Sequence, residues 1–246
     1  MPQHPNHAQP RAAPNPAVQR RDYTTGGLSE ADLAPTWVGQ FTRWFTETSA
    51  VAAEPGSALA EPNAMVFATA DARGRPSART VLLKAFDERG FTLFTNYTSR
   101  KGHDAAANPY GSLVFPWHAL ERQVVVTGSL ERVSAEETAA YFHARPRGAQ
   151  LGAWTSRQSE TITSREVIER RRAELDARWP EPAPVPVPPF WGGLRLVPDS
   201  VEFWQGRQDR LHDRLRYRRT STDRTSTDKE RQLPRDECWV IERLSP

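Results

Sequence analysis

The sequence predicts a mainly β fold of the α+β class: an antiparallel, closed or nearly closed barrel with flanking helices. Three observations carry this. Between residues 64 and 133 five short β-branched or aromatic stretches follow one another, separated by little more than turn chemistry. Connections that short imply antiparallel pairing, because a parallel return needs a long crossover. Five or more such strands favour closure into a barrel, and helical periodicity lies before and after them.

Residues 1–19, rich in Pro, Ala, Gln and His, show no periodicity and are expected to form a disordered tail. The stretch from Arg20 to Leu28 changes character, with Tyr23 and the pair Gly26-Gly27 suggesting an ordered turn. Ser29 and Asp32 can open a helical region in which Trp37, Val38, Phe41, Trp44 and Phe45 share one face. Pro55-Gly56 ends it at the latest.

The strands are expected at Ala64–Ala70, Ser77–Phe86, Phe91–Asn96, Ser112–Trp117 and Gln123–Val133. Ser134 with Glu137 forms a capping box for a helix through about His143, and Thr163 with Glu166 forms a second. Ile168, Leu175 and Trp179 mark the stripe that second helix should bury, and it stops before Pro180. Residues 180–189 (PEPAPVPVPP) should run extended as a polyproline spacer. Strands resume at Phe190–Val197, Ser200–Trp204, Asp213–Arg218 and Cys238–Leu244. Between the last two lies an insertion at about 219–237, in which Arg-Thr-Ser-Thr-Asp occurs twice in tandem and reads as a mobile polar loop. If the late strands complete the barrel, residues 20–246 form one domain.

Composition narrows the function. Of 246 residues 37% are hydrophobic and 26% charged, enough for a packed core. Thirty-three basic against 30 acidic residues leave a net charge of +3, which does not argue for a nucleic-acid partner. Cys238, the single cysteine, permits no intrachain disulfide and reads as structural. No apolar run approaches a membrane span, and a cytoplasmic protein is expected. The six His are scattered without metal-ligand spacing, and neither a Walker loop nor a Gly-x-Gly-x-x-Gly turn occurs. Nothing points to a Ser-His-Asp nucleophile.

Basic residues on strands and strand ends remain. In Arg79-Thr80-Val81-Leu82-Leu83-Lys84 alternation puts Arg79, Val81 and Leu83 on one face and Thr80, Leu82 and Lys84 on the other. A cation at each end of an apolar strand suits a ligand with a phosphate and an apolar ring. Ser99-Arg100-Lys101 adds two cations. The helix Tyr141–Arg147 ends in Arg145 and Arg147, which also complements the helix dipole. Arg210, His212 and Arg214 are expected on one side of a strand, where they repel unless an anion or solvent takes them up.

These residues fall in seven ordered blocks: RTVLLK (79–84), FTNYTSRKGHD (94–104), FPWHALERQVVVTG (115–128), YFHARPRGAQLGAW (141–154), RQS (157–159), FWGGLRL (190–196) and VEFWQGRQDRLHDR (201–214). They resemble the pyridoxamine 5′-phosphate oxidase family over roughly residues 20–218 and 238–246. The resemblance implies an FMN-binding split β-barrel and a homodimer with FMN at its interface. It implies that Arg79, Thr80, Val81, Leu82, Leu83, Lys84, Phe94, Thr95, Arg100, Lys101 and Gln123 hold the flavin. Gln158 and Ser159 would come from the other subunit, and Trp204 and Arg214 would complete that site. Lys84, Tyr141 and Arg145 would hold the substrate phosphate, with Arg210, Leu211 and His212 against the pyridine ring. Arg210 and His212 are the implied catalytic pair. Arg20, Arg21, Asp22 and Tyr23 match a segment that closes over the substrate. Ala149 departs from the pattern, standing where the family usually has a phosphate-binding serine.

The implied reaction moves a hydride from the substrate C4′ carbon to the flavin, which O₂ reoxidises to give hydrogen peroxide. No metal is expected. Three rivals are a different flavin or deazaflavin reductase on the same barrel, a non-catalytic flavin or pyridoxal phosphate carrier, and a nucleic-acid binder. The phosphate set with Arg210 and His212 argues against the first, and the modest net charge against the last.

Overall fold

The computed structural model describes residues 15–19, 22–24, 26–220 and 239–246. Arg20, Arg21, Cys238, most of the expected tail and the 221–237 part of the expected loop lie outside the described residues. Residues 15–19 are exposed and contain a short 3₁₀ turn, Pro16–Val18.

The first helix, α1 (Trp37–Ala52), follows a Ser29–Asp32 capping box on the 3₁₀ turn Glu30–Asp32, and Thr36 caps it by accepting from the N–H of Gly39. Its periodic face buries Trp37, Phe41 and Trp44. Phe41 is fully buried against the rings of Phe86, Phe91, Phe115 and Trp117. Burying a side chain of that size contributes about 1.5–3 kcal/mol.

Among the described residues nine strands form one antiparallel sheet: β1 (Ala64–Ala70), β2 (Pro76–Leu82), β3 (Ala85–Asp87), β4 (Gly90–Asn96), β5 (Tyr110–Trp117), β6 (Arg122–Arg132), β7 (Trp191–Gln205), β8 (Asp213–Arg219) and β9 (Trp239–Leu244). The expected strand Ser77–Phe86 is two. Leu83 donates to Asn63 and Lys84 to Thr92, so the chain leaves β1 and joins β4 at this point. That exchange closes the order β2-β1-β5-β6-β7-β4-β3 into a barrel.

Conversely, the two strands expected between Phe190 and Trp204 are one. Opposite β6, the first part of β7 pairs with β4 and its last part with β8. Pro198 sits between those two partnerships, opposite the β6 irregularity at Thr127/Gly128, where a missing N–H disturbs the ladder least. This division of β7 splits the barrel.

The remaining helices are α2 (Arg100–Ala107), α3 (Ala135–Ala144), α4 (Arg147–Thr155) and α5 (Glu166–Arg178). The Ser134–Glu137 capping box opens α3 as expected. The expected helix through Arg147 instead ends at Ala144, and Pro146 stands as N-cap of α4. The second expected capping box does not cap α5, whose N-cap is Arg165, and Ile168, Leu175 and Trp179 are half-buried rather than core. The Pro-rich stretch is no free spacer. It opens with a turn in which Ala183 donates to Pro180, and Val185 is buried in a second core with Phe142, Leu151 and Trp191.

Candidate active site

Two adjoining cavities of about 540 and 530 Å³ share Lys84, Phe94, Thr95 and Gln158 in their walls. The first runs along β2 from Ser77 to Leu82, then past Arg100 and Lys101 to Ser159. Strand alternation aims Arg79, and the first turn of α2 presents Arg100 and Lys101 to the same space. Ser99 caps that helix at Gly102.

Arg79 is held by three acceptors. Its Nη1 donates to the Phe67 carbonyl and to Thr69 Oγ1, both at 2.9 Å, and its Nη2 to Ser77 Oγ. Lys101 is 9% exposed and donates from Nζ to Gln158 Oε1 at 2.6 Å. Burial first, and the neighbouring Arg79 second, push its pKa down to about 8. Among the described residues no carboxylate pairs with Lys84, Arg100, Lys101 or Arg145; Asp104, 3.9 Å from Arg79 Nη2, is the nearest acidic partner of the cluster.

The second cavity lies between β4 and the α3–α4 junction. Tyr141 stacks on Phe94 with centroids 3.9 Å apart, and burial raises its pKa, so the phenol stays a neutral donor. The Arg145 guanidinium lies 4.8 Å over the Trp191 ring, and its buried Nη1 has no hydrogen-bond partner. A buried cationic donor left unpaired is costly unless an anion meets it. Ala149 lines the same cavity.

A second group of residues lines neither cavity. Gln123, Trp204 and Arg214 are successive partners across β6, β7 and β8. Trp204 lies beside His212 (4.7 Å between centroids), and Tyr23 packs edge-on against both at 5.7 Å. The N–H of Arg207 donates to His212 Nδ1 at 3.1 Å. Arg210 is exposed at the turn Gln208–Leu211, next to Leu211 at 69% exposure. Asp22 is exposed beside Tyr23.

The expected strand face bearing Arg210, His212 and Arg214 is therefore corrected. β8 begins only at Asp213, Arg210 belongs to the turn, and Arg214 is neutralised by Glu202 through bonds of 2.8 and 3.1 Å. Gln158 and Ser159, implied as a second subunit's contribution, line this chain's own cavity, where Ser159 Oγ accepts from the Arg100 N–H.

Sequence reasoning missed Ser77, Thr69, Asp104, Ser156 and Trp191. The i, i+2 alternation could have placed Ser77 beside Arg79, and the i, i+4 spacing could have put Asp104 on the helix face of Arg100. Trp191, coming after the Pro-rich stretch, carried no such signal. Among the described residues no group of three or more His, Cys, Asp or Glu could hold a metal, and no helix is long and apolar enough to cross a membrane.

Residues 54–178 match the family model described as pyridoxamine 5′-phosphate oxidase, and residues 191–246 the pyridoxine 5′-phosphate oxidase C-terminal dimerisation region. The chain is 61% identical over 234 residues to a pyridoxine/pyridoxamine 5′-phosphate oxidase of Frankia alni, covering 95% of this chain and 90% of that one. A protein of the same description from Streptomyces avermitilis is 53% identical over 232 residues, with 94% and 96% covered. Among solved structures, PhzG from Burkholderia lata 383, in complex with tetrahydrophenazine-1-carboxylic acid, is 28% identical with a TM-score of 0.74, covering 88% of this chain and 95% of that one.

Proposed function

The chain belongs to the pyridoxine/pyridoxamine 5′-phosphate oxidase family, and from that premise we propose how its two cavities and its β7–β8 turn make an FMN-dependent oxidase. Pyridoxamine 5′-phosphate, O₂ and water give pyridoxal 5′-phosphate, ammonia and hydrogen peroxide; pyridoxine 5′-phosphate and O₂ give the aldehyde and peroxide.

The carrying observation is the supply of cations around both cavities: among the described residues Lys84, Arg100, Lys101 and Arg145 pair with no carboxylate, and Arg79 meets Asp104 at 3.9 Å. Arg79, Arg100 and Lys101 at the far end of the first suit the FMN phosphate, and Thr80, Val81, Leu82, Lys84, Phe94, Thr95, Gln158 and Ser159 suit the rest of the flavin; Leu83, expected with them, is buried in the core and lines neither cavity. The unpaired Arg145 Nη1, with Lys84 and Tyr141, suits the substrate phosphate. Guanidinium and ammonium groups already facing a cavity need little reorganisation to clamp phosphate.

When bound, FMN supplies two-electron acceptance and reoxidation by O₂. The chain supplies position. Arg145 and Lys84 fix one end of the substrate, so its C4′ carbon is held rather than searching. Arg210 offers a planar cation to the pyridine ring. His212, with Nδ1 engaged by the Arg207 N–H, keeps Nε2 as the group that can donate to the substrate.

Trp204, Arg210, His212 and Arg214 all fall within the dimerisation region and line neither cavity. We assign them, with Gln123 and Leu211, to the partner subunit's cavities, so that each centre of the homodimer draws on both chains. Asp22 and Tyr23, and Arg20 and Arg21 beside them in sequence, belong to the same reading as the substrate cover. β6 of the first matched region pairs along its length with β7 of the second, which favours a single domain over residues 20–246. A cytoplasmic location is part of this proposal. The direct test is to supply FMN and pyridoxamine 5′-phosphate in air and follow pyridoxal 5′-phosphate and peroxide together. Equal amounts support the oxidase; bound flavin without either product leaves a carrier.

A further inference from the structure

From Ser77 in the wall of the first cavity a polar network runs inward to the buried Thr69 and Asp104, none of which the flavin and substrate sets include. Thr69 on β1 and Ser77 on β2 are cross-strand partners, and each donates its hydroxyl proton to the same carboxylate oxygen, Oδ2 of Asp104, at 2.7 and 2.9 Å. Asp104 lies on α2, 6% exposed. A hydroxyl has one proton and two lone pairs. With the protons of Thr69 and Ser77 committed to Asp104, their lone pairs face the other way, where the Arg79 Nη1 and Nη2 donate to them. The carboxylate thus acts on the guanidinium through two oriented hydroxyls rather than by a close ion pair, consistent with its 3.9 Å distance.

Asp104 also stands one turn after Arg100 and Lys101 on the same helix. Its bonds to β1 and β2 therefore fix the helix cations and the strand cation relative to each other. An acidic side chain beside an anion-binding cluster opposes the anion electrostatically, so its retention there needs a compensating use.

We propose that Asp104 is the positioning residue of the phosphate end of the flavin cavity: through Thr69 and Ser77 it sets the direction of Arg79, and through α2 it sets Arg79 against Arg100 and Lys101. The inference rests on the reading that this cavity takes FMN with its phosphate at those three cations. Asp104 itself touches neither flavin nor substrate.

The test uses flavin-free full-length protein and measures the binding of FMN and of riboflavin, which lacks the phosphate, by flavin fluorescence quenching. Asp104→Ala is expected to weaken FMN at least tenfold while riboflavin changes less than twofold. Asp104→Asn, whose single amide oxygen can accept from both hydroxyls, is expected to stay within threefold of the wild type. Thr69→Val, which breaks one of the two relays and keeps the side-chain shape, is expected to fall between them, and it carries the test if the alanine variant does not fold.

Unchanged or tighter FMN binding in Asp104→Ala, the result that simple removal of a repelling charge gives, overturns the proposal. So does an equal loss of FMN and riboflavin, or an asparagine variant as weak as the alanine one. If the wild-type protein binds FMN no better than riboflavin, the phosphate-end reading fails instead, and the two failures are thereby separated.

Discussion

The main-chain N–H of Arg207 donates to Nδ1 of His212 at 3.1 Å, so the neutral imidazole carries its proton on Nε2. Nitrogen-detected NMR of labelled protein should find the Nε2–H tautomer at this residue; an Nδ1–H tautomer contradicts the arrangement. His212→Ala removes a hydrogen-bonding or proton-transferring group and is expected to lower kcat roughly 10²-fold or more with flavin content unchanged. Loss of flavin in proportion to turnover goes against that role.

Arg210 follows Asp209, and both have left-handed backbones, at φ 63° and 53°. The turn closes with Leu211 donating to Gln208 at 3.1 Å. A side chain at such a position costs about 1 kcal/mol that glycine avoids. Arg210→Gly is therefore expected to be more stable than Arg210→Ala by about that amount in urea unfolding, while both lose turnover. Equal stabilities contradict the strain, and retained turnover contradicts the use of the guanidinium.

Ala149 lines the cavity that holds the unpaired Arg145 Nη1. Ala149→Ser adds one hydroxyl there, and a neutral hydrogen bond contributes roughly 0.5–1.5 kcal/mol net. The substrate KM should fall severalfold with kcat little changed. An unchanged KM shows that the hydroxyl does not reach the phosphate.

Lys101 has a pKa of about 8 against an ordinary 10.5, lowered by burial and then by Arg79. Between those values the unfolded chain binds the proton that the folded one has lost. The stability of the flavin-free protein should accordingly rise as pH increases from about 8 to 10.5. FMN binding runs the other way: the phosphate favours the ammonium form, so affinity falls as pH passes 8 and binding takes up a proton near that pH. Calorimetry in two buffers of different ionisation enthalpy measures the uptake; no uptake near pH 8 separates Lys101 from the phosphate.

The strands were legible because alternation and turn residues agree: Ala64–Ala70 and β4 fall within one residue of expectation. The helix α2 was not, since RKGHDAAA lacks an apolar stripe and owes its place to capping by Ser99 and to Asp104. The exchange of partners at Leu83-Lys84 was equally hidden, because an unbroken β-rich run does not reveal which strand it pairs with. In the site, RTVLLK and SRK pointed to the cations of one cavity. That Gln123, Trp204, Arg210, His212 and Arg214 sit away from it is a consequence of sheet order, to which local sequence is blind.

Mixing subunits puts the two-chain centre to the proof. Arg145→Ala disables the cavity and His212→Ala the turn, so each homodimer should be inactive. After the two are unfolded together and refolded, half of the centres in a mixed dimer regain both groups. Pyridoxal 5′-phosphate formation recovering in the mixture, and in neither variant refolded alone, is the outcome expected. A mixture as inactive as its parents, with mixed dimers present, places Arg145 and His212 in a centre made by one chain and contradicts the account.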